Sequence, residues 1–118
     1  MTKARRFEDL SVWRKAHQVV LDIYRVTRGF PAEERFGLVA QLRRAAVSVA
    51  ANIAEGFNRR TLRDKRNFYN IAQASAEETR YYVLLSRDLD YLRDYRSITE
   101  GLDEVGRMLN GLLASLER

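Results

Sequence analysis

The side chains in this sequence that are placed to do chemistry are cationic and polar. The most concentrated set is the run Arg59-Arg60-Thr61-Leu62-Arg63-Asp64-Lys65-Arg66, with five positive charges and one negative. Cations near a helix start oppose the macrodipole at about 0.3–1 kcal/mol each, so helix stability alone does not select them. Beside the free backbone N–H groups of a helix start, such cations suit phosphate, through charge neutralisation and counterion release. Arg59, Arg60, Arg63, Lys65 and Arg66, joined by Arg43, are therefore the candidate nucleic-acid-binding residues. Arg44 and the N-terminal Lys3, Arg5 and Arg6 are secondary candidates. The competing account is solvated loop charge.

A second set is Arg44, Ser48, Asn52 and Glu55, whose steps of four, four and three place them on one helix face. Set against an antiparallel helix that starts near residue 61, Arg44 comes level with Ser75 and within reach of Glu78. The same register puts Asn52 near Phe68 and Glu55 near Arg63 and Lys65. Half-buried polar groups must find partners, so Arg44, Ser48, Asn52, Glu55, Ser75 and Glu78 read as a structural network that fixes register. The alternative is a ligand-contacting stripe. A third set is aromatic: Tyr82 and Phe68 fall on an apolar stripe, while Tyr69 and Tyr81 fall off it and are free to pack a second protomer or stack bases.

Catalytic constellations are missing. Cysteine is absent, which removes disulfides, thiolate metal sites and thiol chemistry. The one histidine, His17, follows Arg14 by three residues, so neither the Glu-x-x-His of di-iron bundles nor the Arg-His spacing of helical-bundle ribonucleases is present. No phosphate-binding glycine loop or nucleophile elbow occurs, and Asp88, Asp90 and Asp94 fall on spread helix faces. The expectation is a protein with no enzymatic activity, no cofactor and no metal.

These residues must be positioned by helices. The 118 residues are expected to form one domain, 1–118, around a single core. Strand-like alternation is missing and an apolar period near 3.6 recurs four times. The first helix is expected over about 9–28, with Trp13, Ala16, Val20, Ile23, Tyr24 and Thr27 inward, ended by Gly29-Phe30-Pro31. The second covers about 32–56, from Glu33 and Glu34 in its first turn to Gly56, on a stripe of Leu38, Leu42, Ala45, Ala46, Val49 and Ile53. The third covers about 61–92, opened by Thr61 and Asp64, with Phe68, Ile71, Ala72, Ser75, Tyr82, Leu85, Leu89 and Leu92 inward. The fourth covers about 97–117, opened by Ser97 and Glu100, on Leu102, Val105, Leu109, Leu112, Leu113 and Leu116. Short connections imply an all-α, antiparallel, up-down-up-down four-helix bundle.

Net charge is +5, and it is uneven: residues 1–66 carry 15 Lys or Arg against 7 Asp or Glu, residues 67–118 carry 6 against 9. Such asymmetry suits an anion-binding face or head-to-tail packing of protomers. The basic N-terminus lacks the apolar core of a secretory signal, and the alanine-rich stretch 45–54 is about half a membrane span. A soluble, cytoplasmic protein with no membrane contact is expected.

Phe7-Glu8-Asp9-Leu10, Val12-Trp13-Arg14-Lys15-Ala16, Phe30-Pro31 and the run Gln41-Leu42-Arg43-Arg44-Ala45 through Asn52-Ile53-Ala54-Glu55-Gly56, followed by Phe68, Ala72, Ser75 and Glu78, carry a resemblance. The chain resembles the four helix bundle protein family, also called 23S rRNA-intervening-sequence proteins. Ala74 departs from the glycine usual there, a small-for-small exchange. The resemblance implies a left-handed antiparallel bundle assembled into a homo-oligomeric (pentameric) ring, no catalytic activity, and a molecular function that is largely undefined. Some relatives are encoded within ribosomal RNA genes, and related bundles are accessory to reverse transcriptases. The expected function is RNA binding or RNP assistance through the basic face. The alternative is a protein–protein scaffold that recruits a partner such as a polymerase or reverse transcriptase.

Overall fold

The computed structural model describes residues 3–117; Met1, Thr2 and Arg118, which the expected domain includes, lie outside the described residues. Four α-helices form: α1 (Ser11–Thr27), α2 (Leu38–Asn58), α3 (Leu62–Asp88) and α4 (Arg96–Ser115). Short 3-10 turns precede α1 (Phe7–Asp9) and α2 (Ala32–Glu34), and no strand occurs among the described residues. The fold class is thus all-helical, drawn out to 46 × 25 × 20 Å. Each helix packs on the next and α4 closes on α1, with α2 and α3 the most extensively packed pair.

Cross-helix pairs give the directions. Ser48 meets Ser75 and Gly56 meets Tyr69, so α2 and α3 run antiparallel. Gln73 with Asn110 and Arg80 with Asp103 set α3 against α4 in the same way. Lys15 with Glu104 and Val19 with Gly101 do so for α1 and α4. Ile23, Leu42, Ile53, Ile98, Val105 and Leu109 fill the centre and are fully buried.

Local chemistry moves several helix ends from where they were expected. Ala32–Glu34 is a 3-10 turn, and α2 starts only at Leu38, where a Glu34 carboxylate oxygen accepts the Leu38 N–H at 3.3 Å. Glu34 thus caps α2 from outside its first turn. Gly56 does not end α2, which continues to Asn58; the glycine is buried against the Tyr69 ring. Thr61 caps α3 as expected, its hydroxyl accepting the Asp64 N–H at 3.1 Å. The helix stops at Asp88, short of Leu92, because Asp90 takes a left-handed conformation (φ 63°) and the Tyr91 N–H turns back to the Ser86 carbonyl at 2.9 Å. Asp tolerates that region better than most residues. Ser97 lies inside α4 and makes no capping bond; the helix begins one residue earlier.

Two inward stripes are also rotated. Helix α1 buries Val12, Ala16, Val19, Ile23 and Thr27, leaving Trp13 and Val20 half-buried and Tyr24 exposed. Helix α3 buries Tyr69, Ala72, Ser75, Ala76, Thr79, Val83 and Ser86, while Ile71 and Leu89 are exposed. Hydroxyls can go inside because they bond their own helix: Thr79 donates to the Ser75 carbonyl and Ser86 to that of Tyr82, both at 2.7 Å. A reading by hydropathy assigns such residues to the surface.

Candidate nucleic-acid interface

The α2–α3 turn carries the densest positive charge, and its cations divide by what they touch. Lys65 Nζ donates to the last carbonyls of α2, Phe57 at 2.7 Å and Gly56 at 3.3 Å, and lies 5.6 Å from the centre of the Phe57 ring. It caps a helix C-terminus, where a cation complements the dipole. Arg59 pairs with Glu55 at 2.7 Å and lies over the Phe68 ring at 4.6 Å. Arg60, Arg63 and Arg66 are exposed and make no ion pair among the described residues. Arg63 and Arg66 line an open hollow of about 520 Å³ with Asp64, Asn67 and Asn70.

Arg43 does not join this group. It sits some 16 residues earlier on α2, about 24 Å away at 1.5 Å per residue. Its guanidinium donates to Thr27 Oγ1 at 2.9 Å and the Tyr24 carbonyl at 3.4 Å, and stacks on the Tyr24 ring at 4.5 Å. It ties down the C-terminus of α1. Arg44 is exposed nearby on α2. At the N-terminus, Lys3, Arg5, Asp9 and Arg14 line a hollow of about 300 Å³. Asp9 accepts the backbone N–H groups of Arg5 (3.0 Å) and Arg6 (3.1 Å). These two bonds, with attraction from Arg14 and Arg6, hold its carboxyl below the usual aspartate range. Phe7 lies with Ala54 on one surface slot, which brings this basic segment toward the end of the bundle that bears the α2–α3 turn.

Three of the six residues of the expected polar network are joined. Asn52 Nδ2 donates to the Ser48 carbonyl (2.8 Å) and hydroxyl (3.0 Å), and the Ser48 and Ser75 hydroxyls meet at 2.7 Å. The Ser48 hydroxyl, with two lone pairs and one hydrogen, serves both Asn52 and Ser75. The other three go elsewhere. Glu55 pairs with Arg59 rather than Arg63 or Lys65. Glu78 accepts from Tyr82 OH at 3.3 Å, and Arg44 makes no ion pair with it among the described residues. Partial burial, then the Glu78 carboxylate, raises the Tyr82 phenol above its usual range.

Of the two tyrosines expected off the core, Tyr69 is inside, 2 % exposed, and burial raises its phenol. Tyr81 is 60 % exposed. Two surfaces escaped the sequence reading. One is an apolar slot of about 340 Å³ between α1 and α2, walled by Trp13, Val20, Val47 and Ala51. There Phe7 meets the Trp13 ring edge-on at 5.0 Å, and His17 stacks on it at 4.9 Å. The other is a carboxamide-lined groove between α3 and α4, signalled only by the three-residue spacing of Asn67, Asn70 and Gln73. No group of three or more metal-ligating side chains gathers among the described residues, and no helix among them is long and apolar enough to cross a membrane.

A family model described as 23S rRNA-intervening sequence protein matches residues 8–111. Among solved structures, a protein of unknown function from the S23 ribosomal protein family of Bacteroides thetaiotaomicron is similar, with a TM-score of 0.80 and 27 % identity. The similarity covers 86 % of this chain and 97 % of that one. No curated protein matches the chain.

Proposed function

The chain belongs to the 23S rRNA-intervening sequence protein family, and on that premise we propose that it is a non-enzymatic RNA-binding or RNP-accessory protein. The observation that carries this reading is the trio Arg60, Arg63 and Arg66 around the first turns of α3, exposed and in no ion pair among the described residues although Asp64 lies among them. Unpaired guanidinium groups at a helix N-terminus cost helix stability, and phosphate both neutralises them and accepts from the free N–H groups beside them. Lys65 and Arg59 support the turn and leave the other three to solvent or ligand. Self-association into a ring of the kind the family resemblance implies repeats this patch and raises avidity without new contacts.

A salt series tests it. Binding to structured RNA, single-stranded RNA and duplex DNA is measured for the parent and for the combined Arg60→Gln, Arg63→Gln, Arg66→Gln variant. The parent is expected to bind RNA with affinity that falls steeply with salt. The variant should lower the logarithmic slope by about two to three units, at 0.7–0.9 per lost phosphate contact. Unchanged affinity and slope in the variant would sink the reading.

A scaffold that recruits a protein partner is the second reading. The apolar slot of Trp13, Val20, Val47 and Ala51 favours it, since contiguous outward apolar surface marks interaction sites. Absence of RNA binding even at low salt would leave this reading in place.

A further inference from the structure

We infer that the groove between α3 and α4 carries one strand of RNA away from the arginines, with carboxamides contacting its bases and ribose hydroxyls. The inference rests on the RNA reading above and adds where the strand runs and what reads it.

The charge on α3 is graded. Arg63 and Arg66 stand at its start, residues 67–76 contain no charged side chain, and Glu77 and Glu78 follow. Within this run the outward polar side chains are Asn67 and Asn70, with Gln73 half-buried beside them and Ile71 and Ala74 also exposed, and none is the Lys or Glu of a solvated face. The arginine hollow, lined by α3 alone, and a second one of about 430 Å³ between α3 and α4 share Asn70, so they adjoin there. Gln73 donates to Asn110 across the second hollow, joining the walls of α3 and α4.

The floor is low. Gly106 lies in it, and a Cβ added there would meet nothing within 4 Å. A mid-helix glycine costs up to about 1 kcal/mol relative to alanine, and no close helix contact in the protomer offsets that. From residue 63 to 77 the track along the two hollows is about 21 Å long, or about six stacked nucleotides at 3.4 Å each.

Phosphates fit the arginine end by charge, and the carboxylate of Glu77 bounds the other end by repulsion. In between, each amide offers both donors and acceptors, which match unpaired base edges and the 2′-hydroxyl. Packed helix axes stand only about 8–10 Å apart, so the groove between them admits a strand and not a duplex.

The probe is a mixed-sequence 12-nucleotide single-stranded RNA, with its deoxy counterpart and the same RNA in duplex form. Two blocking variants are used: the Asn67→Ala, Asn70→Ala double, at exposed positions where alanine favours helix, and Gly106→Leu, which enters open space. Each should weaken single-stranded RNA binding by about tenfold with the salt slope unchanged, and the double should lose preference for RNA over the deoxy strand. Arg63→Gln with Arg66→Gln should instead lower the slope by about 1.4–1.8.

If both blocking variants bind like the parent while the arginine pair loses affinity, the track is wrong and the basic-end reading stands. Equal loss for single strand and duplex likewise overturns the track. No binding by the parent at low salt overturns both.

Discussion

At the scale of single residues, partners decide role. Lys65 and Arg66 are adjacent and both cationic, yet Lys65 closes the end of α2 at 2.7 Å while Arg66 faces an open hollow. Asp9 shows the same logic for an acid. Two backbone N–H groups lower its carboxyl below the ordinary 3.8, with Arg14 and Arg6 adding attraction. A pKa lower in the folded state stabilises the turn above the unfolded value, and that stabilisation is lost as pH falls through the folded one. The Phe7–Asp9 turn seats Phe7 on Trp13, the only tryptophan. Acidification from about pH 5 to pH 2 should therefore shift Trp13 emission toward a more exposed environment, and Asp9→Asn should remove that dependence. A parent emission that stays flat over this window would refute the coupling.

At the scale of helices, small residues control approach. A Cβ on Gly56 would come 2.5 Å from Cε1 and 2.7 Å from Cδ1 of Tyr69, a ring that is itself buried. Gly56→Ala should destabilise by about 1–3 kcal/mol through overpacking. Gly106→Ala, with open space around it, should stabilise by up to about 1 kcal/mol. Denaturant midpoints of the two variants test the contrast: a Gly56→Ala midpoint that does not fall would show that α2 and α3 do not pack as tightly as this geometry requires, and a Gly106→Ala midpoint that falls would show that the space at Gly106 is not open. Gly56 illustrates why a glycine near a basic turn misleads: it reads as a helix stop, whereas α2 runs past it because the glycine admits an aromatic ring from α3.

At the scale of the whole molecule, the cyclic order of the helices separates two surfaces. The apolar slot belongs to the α1–α2 side and the carboxamide groove to the α3–α4 side, so one can be covered while the other is occupied. Ala51 is exposed in the slot, and Val47 beside it is 41 % exposed. If protomers assemble through this side, Ala51→Glu should reduce the mass in light scattering to that of one chain. Apparent RNA affinity should then fall through lost avidity, while the salt slope per protomer is kept. A parent that is already monomeric, or a variant that still assembles, rejects association through the slot.

The number of helices, the all-helical class, the full inward stripe of α2 and the Thr61 cap are legible in the sequence, whereas the register of α2 on α3 is not: Ser75 meets Ser48, one turn along from the Arg44 expected beside it. The legible features rest on local periodicity and on side chains that bond backbone within a few residues, and such interactions need no knowledge of distant neighbours. The rotated stripes of α1 and α3, the burial of Tyr69, the stop at Asp88 and the sorting of the cations into capped and free are settled only by the tertiary structure. Each turns on a partner far along the chain or on a hydroxyl whose burial is tolerated because its own helix satisfies it. Residue type and spacing state what a side chain can bond; only the packed bundle decides which of those bonds is within reach.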